Sequence, residues 1–195
     1  MRFLSSMRLS DAELFNISRF LRYQVMNVCL QADNGHLGAC AGAVELLTGL
    51  YFGGVARINP LDDKDPDRDY IMMRGHTGPL RYPIFNLLGW IEDEELSQYR
   101  RFGSRLHGHE DHHFTPGVDV GPNGSLGMLL SYGTGIALRR THTGDTGRVF
   151  VFIGDGEEQE GNVSEAARHA AILRLSNLVA IIDRNRKQLS DPVAS

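Results

Sequence analysis

From Asp11 onward the apolar residues Leu14, Ile17, Leu21, Val25 and Val28 recur at steps of three and four, the spacing that lines one face of a helix. The pattern stops at Asp33-Asn34-Gly35, where Gly35 can supply the positive φ that closes a helix C-terminus. A loop carrying His36 follows, and a second helix is expected over about residues 41–51. Residues 59–69 are charged and contain prolines, so they read as a surface loop leading into the short apolar run at residues 70–73. Residues 74–78 read as another loop, followed by helical segments over 80–88 and 92–101.

A glycine- and histidine-rich stretch from Gly103 to Gly127 is too long for a plain connector, and long loops inside compact domains are often functional. A helix over about 126–140 then leads to the clearest pattern in the chain. The apolar run 148–153 is followed by Gly154-Asp155-Gly156, a helical stretch and a second apolar run at 178–182. That is a β-α-β unit. Continuous β-branched and aromatic runs imply strands buried on both faces, hence an α/β fold with a parallel β-sheet and helices on both faces.

Composition narrows the class. The chain has 195 residues, 42% of them hydrophobic, and a net charge of −4, which suits a single α/β domain over residues 1–195 and gives no electrostatic reason to expect nucleic acid. Only Cys29 and Cys40 occur, without C-x-x-C spacing, so neither a disulfide framework nor a structural zinc site is indicated, and a reducing cytoplasm is expected. No stretch approaches the ~18 consecutive apolar residues that span a bilayer, so no membrane partner is expected. Residues 1–10 carry Arg2 and Arg8 and no acid, but a transit-peptide reading is not adopted.

Ligands of parallel sheets bind at the carboxyl ends of the strands, where this chain carries Asp155 after one strand and Asn185 after the other. If the strands are neighbours, about 4.8 Å apart, a carboxylate and an amide oxygen converge on one hard cation, for which magnesium is the natural candidate. Magnesium commonly combines few protein oxygens with phosphate, so the pair points to a phosphorylated ligand. Gly154 and Gly156, lacking Cβ atoms, would let backbone come close to a diphosphate, and the following helix would direct its amides towards it.

Blander readings stand beside this one. Gly154-Asp155-Gly156 is also an ordinary turn composition, and it lacks the third glycine of a dinucleotide fingerprint. His107, His109, Glu110, Asp111, His112 and His113 could bind a transition metal, although solvated loop residues are the preferred reading of His112 and His113. Asp63, Asp65, Asp67 and Asp69 faintly suggest a calcium loop but lack its glycine and its terminal acid, so a solvated loop is expected. Glu157 and Glu158 read as first-turn charges against a helix dipole, and His142 and His169 as structural.

Gly154-Asp155-Gly156 followed thirty residues later by Asn185 resembles the thiamine-diphosphate signature. The surrounding run from Gly154 to Gly161, then Glu165-Ala166, Asn177-Leu178 and Asp183-Arg184-Asn185, is similar to transketolases in particular. Upstream segments agree in order: Gly35-His36-Leu37-Gly38, Arg74-Gly75-His76, the run from Gly103 to His109, and Pro116-Gly117-Val118 leading to Gly124-Ser125-Leu126-Gly127.

The resemblance implies a thiamine-diphosphate-binding fold and the cofactors thiamine diphosphate and Mg2+. It implies magnesium ligation by Asp155, Asn185 and the main-chain carbonyl of Lys187. His76, Gly154 and Gly156 would meet the diphosphate, while Gly124 and Leu126 would support the thiamine rings. His36, His76 and His109 would be catalytic, binding donor hydroxyls and assisting proton transfer. Glu160 and Glu165 would lie near the contact that couples paired active sites.

Relative to the family, the domain is expected to be C-terminally incomplete and the pyrimidine-binding domain absent. The resemblance therefore implies a separate C-terminal transketolase-like subunit, association into a heterotetramer, and transfer of a two-carbon ketol unit from a ketose phosphate to an aldose or carrier-bound acceptor. The alternatives are a shortened piece of a full-length enzyme and a catalytically silent interaction subunit of a full-length homologue. Departures at Met128-Leu129 and Ala39-Cys40-Ala41 bear on the substrate pocket.

Overall fold

The computed structural model describes residues 9–63, 65–188 and 191–193. Most of the arginine-bearing N-terminal segment therefore lies outside the described residues. The chain divides into two compact units, one made of Met1–Asp65 with Gly75–Pro122, the other of Pro66–Arg74 with Asn123–Ser195.

The first unit is helical. Helix α1 (Asp11–Gln31) begins with a capping box, in which the Ser10 hydroxyl accepts from Glu13 N while the Glu13 carboxylate accepts from Ser10 N. Its apolar stripe buries Leu21, Val25 and Val28, and it packs against α2 (Leu37–Phe52) and α3 (Gly78–Leu88). Gly35 takes φ 144°, and a Cβ there would meet Cys29 Sγ at 2.4 Å. Helix α2 starts four residues before the expected position, because Gly38, Ala39 and Cys40 in its first turn carry no apolar period.

The expected loop at 74–78 is instead a 3-10 turn (Gly75–Thr77) running straight into α3, with Pro79 in the first turn, where a missing N–H costs nothing. The helix expected over 92–101 is only α4 (Asp93–Leu96). Arg100, at φ 59°, turns the chain back so that its N–H donates to Leu106 O at 2.9 Å.

The second unit holds a parallel sheet in the order β1 (Tyr70–Met73), β2 (Val149–Gly154), β3 (Leu178–Asp183), with Met73 opposite Phe152 and Gly154 opposite Asp183. Helix α5 (Leu129–Thr143) lies on the sheet and against α7 (Gly161–Ile172). Gly133 permits this approach, since a Cβ there would stand 2.4 Å from Val151 Cγ2. The start of α5 is later than residue 126 because Gly127, at φ 82°, is in the left-handed region. The short α6 (Asp155–Glu158) follows β2, and β4 (Lys187–Gln188) pairs antiparallel with β5 (Asp191–Pro192).

Strand β2 is buried throughout, as its continuous apolar run implies. Strand β3 is not: Ala180 and Ile182 are exposed, because β3 is the sheet's edge among the described residues. The loop expected over residues 59–69 is present, with Leu61, Asp62 and Asp67 exposed, but it is not solvated throughout. Asp69 is fully buried and takes Arg148 N at 2.7 Å and the Arg148 guanidinium, while Asp63 accepts from Gly117 N at 2.7 Å and Asp65 from Asn59. Among the described residues, no helix is long and apolar enough to cross a membrane.

Candidate active site

Two groups of chemistry-bearing residues stand out, one in each unit. In the sheet unit, the parallel register of β2 and β3 sets Asp155 and Asn185 beyond the carboxyl ends of adjacent strands. The Asp155 carboxylate is 4% exposed, and its two oxygens accept from Gly156 N at 3.0 Å and Arg186 N at 2.6 Å. The loop after β3 is thereby fastened to the start of α6. Arg186 reaches Asp155 in a left-handed conformation, φ 63°, which an arginine adopts only when its surroundings hold it there. The exposed Asn185 accepts from Lys187 N through its side-chain oxygen at 2.8 Å.

Both glycines of the turn have protein neighbours that demand them. A Cβ on Gly154 would meet Arg74 Nη1 at 2.4 Å, and one on Gly156 would meet Gln188 Cβ at 2.9 Å. Close packing inside the protein is therefore one reason for these glycines, apart from any ligand.

Glu157 is more than the dipole charge read from the sequence. It is buried, its carboxylate accepts from Gly127 N at 3.1 Å and from Gly154 N at 3.5 Å, and burial pushes its pKa up against those two bonds. It ties the loop holding Gly124 and Leu126 to the turn holding Asp155. Asn123 steadies the same loop by donating to Met73 O at 2.8 Å. Gly124, Leu126, Glu160 and Glu165 are exposed, as are Glu158 and His169.

In the helical unit, His36, His76 and His109 converge from three elements. His36 stands at the N-terminus of α2, His76 in the 3-10 turn and His109 in the long loop. Ring centroids lie 4.8 Å apart for His36 and His76, 5.3 Å for His76 and His109, and 5.7 Å for His36 and His109. Burial, then the neighbouring His109 and Arg100, lower the pKa of His36, so its imidazole is neutral near pH 7 and offers a lone pair.

The loop bearing His109 is pinned from below. Arg81 and Glu110, both essentially inaccessible, form a buried ion pair, and Arg81 also donates to Tyr51 Oη at 3.0 Å and Gly117 O at 3.2 Å. Tyr82 Oη donates to His107 O at 2.6 Å. Burial raises the Glu110 carboxyl to about 7 even though Arg81 pulls it down. Burial opposes charge on Arg81 too, but Glu110, Tyr51 and Asp119 outweigh it and hold its pKa above the ordinary arginine value.

The histidine cluster suggested between His107 and His113 does not form as one group. His109 joins His36 and His76, whereas the exposed His112 and His113 engage Gly121 O and Asp111 at 2.6 and 2.8 Å. His142 is exposed. The sequence reading missed Arg81, Arg74, Asp183, Glu110 and Glu157 as site-supporting residues. Arg74, Glu157 and Asp183 carried a signal through their places in the matching segments, and Glu110 only as a member of the histidine-rich stretch.

Residues 10–193 match the family described as the transketolase, thiamine diphosphate binding domain. The chain is 38% identical to an apulose-4-phosphate transketolase subunit of Actinobacillus succinogenes, over 93% of this chain and 66% of that protein. It is 37% identical to the 6-deoxy-6-sulfo-D-fructose transketolase subunit SqwG of a Clostridium species, over 80% of this chain and 56% of that protein. It thus spans a little under two thirds of the length of such relatives. Transketolase from Campylobacter jejuni superposes with a TM-score of 0.89 at 26% identity, covering 95% of this chain and 30% of that one.

Proposed function

The chain belongs to the transketolase thiamine-diphosphate-binding family, and on that footing we propose that it is the cofactor-diphosphate subunit of a two-component transketolase. It moves a two-carbon ketol unit from a ketose phosphate to an aldose or carrier-bound acceptor, together with a partner carrying the pyrimidine-binding half. The observation that carries the reading is the buried Asp155 carboxylate fastened to the Asn185-Arg186-Lys187 loop of the neighbouring strand. Several of its relatives are named as subunits of their transketolases, which supports a two-polypeptide enzyme, with paired copies making a heterotetramer in the cytoplasm.

The donor set suits magnesium. Each Asp155 oxygen accepts one main-chain N–H and keeps further lone pairs, and the Asn185 amide oxygen and a main-chain carbonyl at Lys187 are hard ligands of the same kind. These three would hold Mg2+ against the diphosphate, with Gly154 and Gly156 close by. Gly124 and Leu126 would flank the thiamine rings, held in register by Glu157. Thiamine diphosphate, when bound, supplies the nucleophilic carbon and electron sink of the reaction.

The protein's own task is proton handling and orientation. His36 and His109 accept and return the hydroxyl protons of donor and acceptor, a role that needs imidazoles neutral near pH 7. His76 would meet the diphosphate. Glu160 and Glu165 lie at the contact between paired sites. The test is reconstitution: the chain is purified from its host with what copurifies, and ketol transfer from a ketose phosphate is assayed for each polypeptide alone and for both together. Activity only in the complex supports the proposal, and an intact complex with no ketol transfer to any aldose or thiol acceptor overturns it.

A further inference from the structure

The three histidines have a second capacity that their assignment to proton transfer does not use. One ring nitrogen from each of His36, His76 and His109 lies within 4.8 Å of the others. They come from three separate elements, the start of α2, the 3-10 turn and the long loop, so no local turn forces them together. The Nδ1 of His36 is buried and has no hydrogen-bond partner among the described residues. A buried imidazole nitrogen with nothing to bond to is costly unless a ligand satisfies it.

We propose that His36, His76 and His109 form a binding site for a borderline transition-metal dication, Zn2+ or Co2+, with a fourth position open to water. Three imidazoles with one open position is the ligand set of a solvent-accessible four-coordinate site, and imidazole favours such ions over magnesium. Tetrahedral coordination with Zn–N bonds of about 2.0–2.1 Å sets ligand nitrogens roughly 3.4 Å apart, so the rings close by small rotations from their present spacing. The supports that hold the site are in place. Cys40 Sγ lies 3.5 Å from His76 O, Leu37–Phe52 follows directly on His36, and the Arg81–Glu110 pair sits immediately beyond His109.

The other three-residue cluster in this unit, Asp111, His112 and His113, is the weaker candidate, because its Nδ1 atoms are already engaged by Gly121 O and Asp111 and both its histidines are exposed. The inference stands on the geometry of one unit and does not depend on the chain being a transketolase. If that reading holds, a bound metal would occupy the lone pairs that His36 and His109 need, so micromolar zinc would inhibit by competing with the donor sugar.

The test uses Co2+ as a spectroscopic probe on the metal-stripped full chain, without thiamine diphosphate or magnesium. One equivalent of Co2+ is expected to give the intense visible bands of a four-coordinate ion, displaced by one equivalent of Zn2+. His36→Ala, His76→Ala and His109→Ala, each checked for native circular dichroism, are expected to lose Co2+ affinity by at least about tenfold. Asp155→Ala and the double variant His112→Ala/His113→Ala are expected to keep the spectrum. A wild-type chain showing only the weak bands of six-coordinate Co2+ overturns the proposal, as does a spectrum that vanishes in His112→Ala/His113→Ala and persists in the other three.

Discussion

Arg74 Nη2 donates to Asp183 Oδ2 over 2.6 Å, joining the residue after β1 to the last residue of β3 across the intervening β2. Both side chains are about nine-tenths buried, at 7% and 10% exposed. The same guanidinium fills the space a Gly154 side chain would take and lies 5.6 Å from the centroid of the Phe152 ring. Asp183 is paired with this guanidinium, whereas among the described residues the Asp155 carboxylate accepts from the main-chain N–H groups of Gly156 and Arg186. The division leaves the negative charge of Asp155 available to a cation.

Arg74→Met therefore strands Asp183 as a buried, unpaired charge. Urea denaturation is expected to show a loss of about 3–5 kcal/mol, much of it recovered in the double variant Arg74→Met/Asp183→Leu. A loss below about 1 kcal/mol in the single variant contradicts the buried pairing.

Gly127 carries φ 82°, and a Cβ there would stand 2.6 Å from Glu160 Cβ. Gly127→Ala is expected to cost more than about 1 kcal/mol, through backbone conformation and this contact together. It also shifts the loop that Glu157 holds, so cofactor affinity measured by calorimetry is expected to fall, with Gly135→Ala, on an open helical face, as the silent control.

Glu110 gives a pH dependence of known sign. Its folded pKa, about 7, exceeds its ordinary 4.5, so the folded chain binds a proton that the unfolded chain has already released. Its contribution is full below about 4.5 and lost as pH rises through about 7. The slope of stability against pH in that window is expected to be negative for this group and absent in Glu110→Gln, whatever the absolute stability of the variant. Identical slopes contradict the raised pKa.

Much of this was legible in the residues. The three- and four-step apolar period located α1 and the uninterrupted runs located β2 and β3, although only β2 has the burial on both faces that such a run implies. The start of α2 was not legible, since Gly38, Ala39 and Cys40 carry no amphipathic signal, and no breaker marks the passage from α4 into the turns that lead to the left-handed Arg100. The convergence of His36, His76 and His109 was suggested by motif order alone, as three elements 33 to 73 residues apart share no local pattern. The burial of Glu157 and of the Arg81–Glu110 pair was not legible, because a charged side chain reads as solvated until its buried partner is known.

The most direct test is calorimetric titration of thiamine diphosphate into the complex purified from its host, with and without Mg2+, for the natural chain and for Asp155→Ala. The expected result is binding that requires Mg2+ in the natural complex and falls at least about a hundredfold in Asp155→Ala. Unchanged magnesium-dependent binding in Asp155→Ala, or no binding at all by the intact natural complex, would contradict the account.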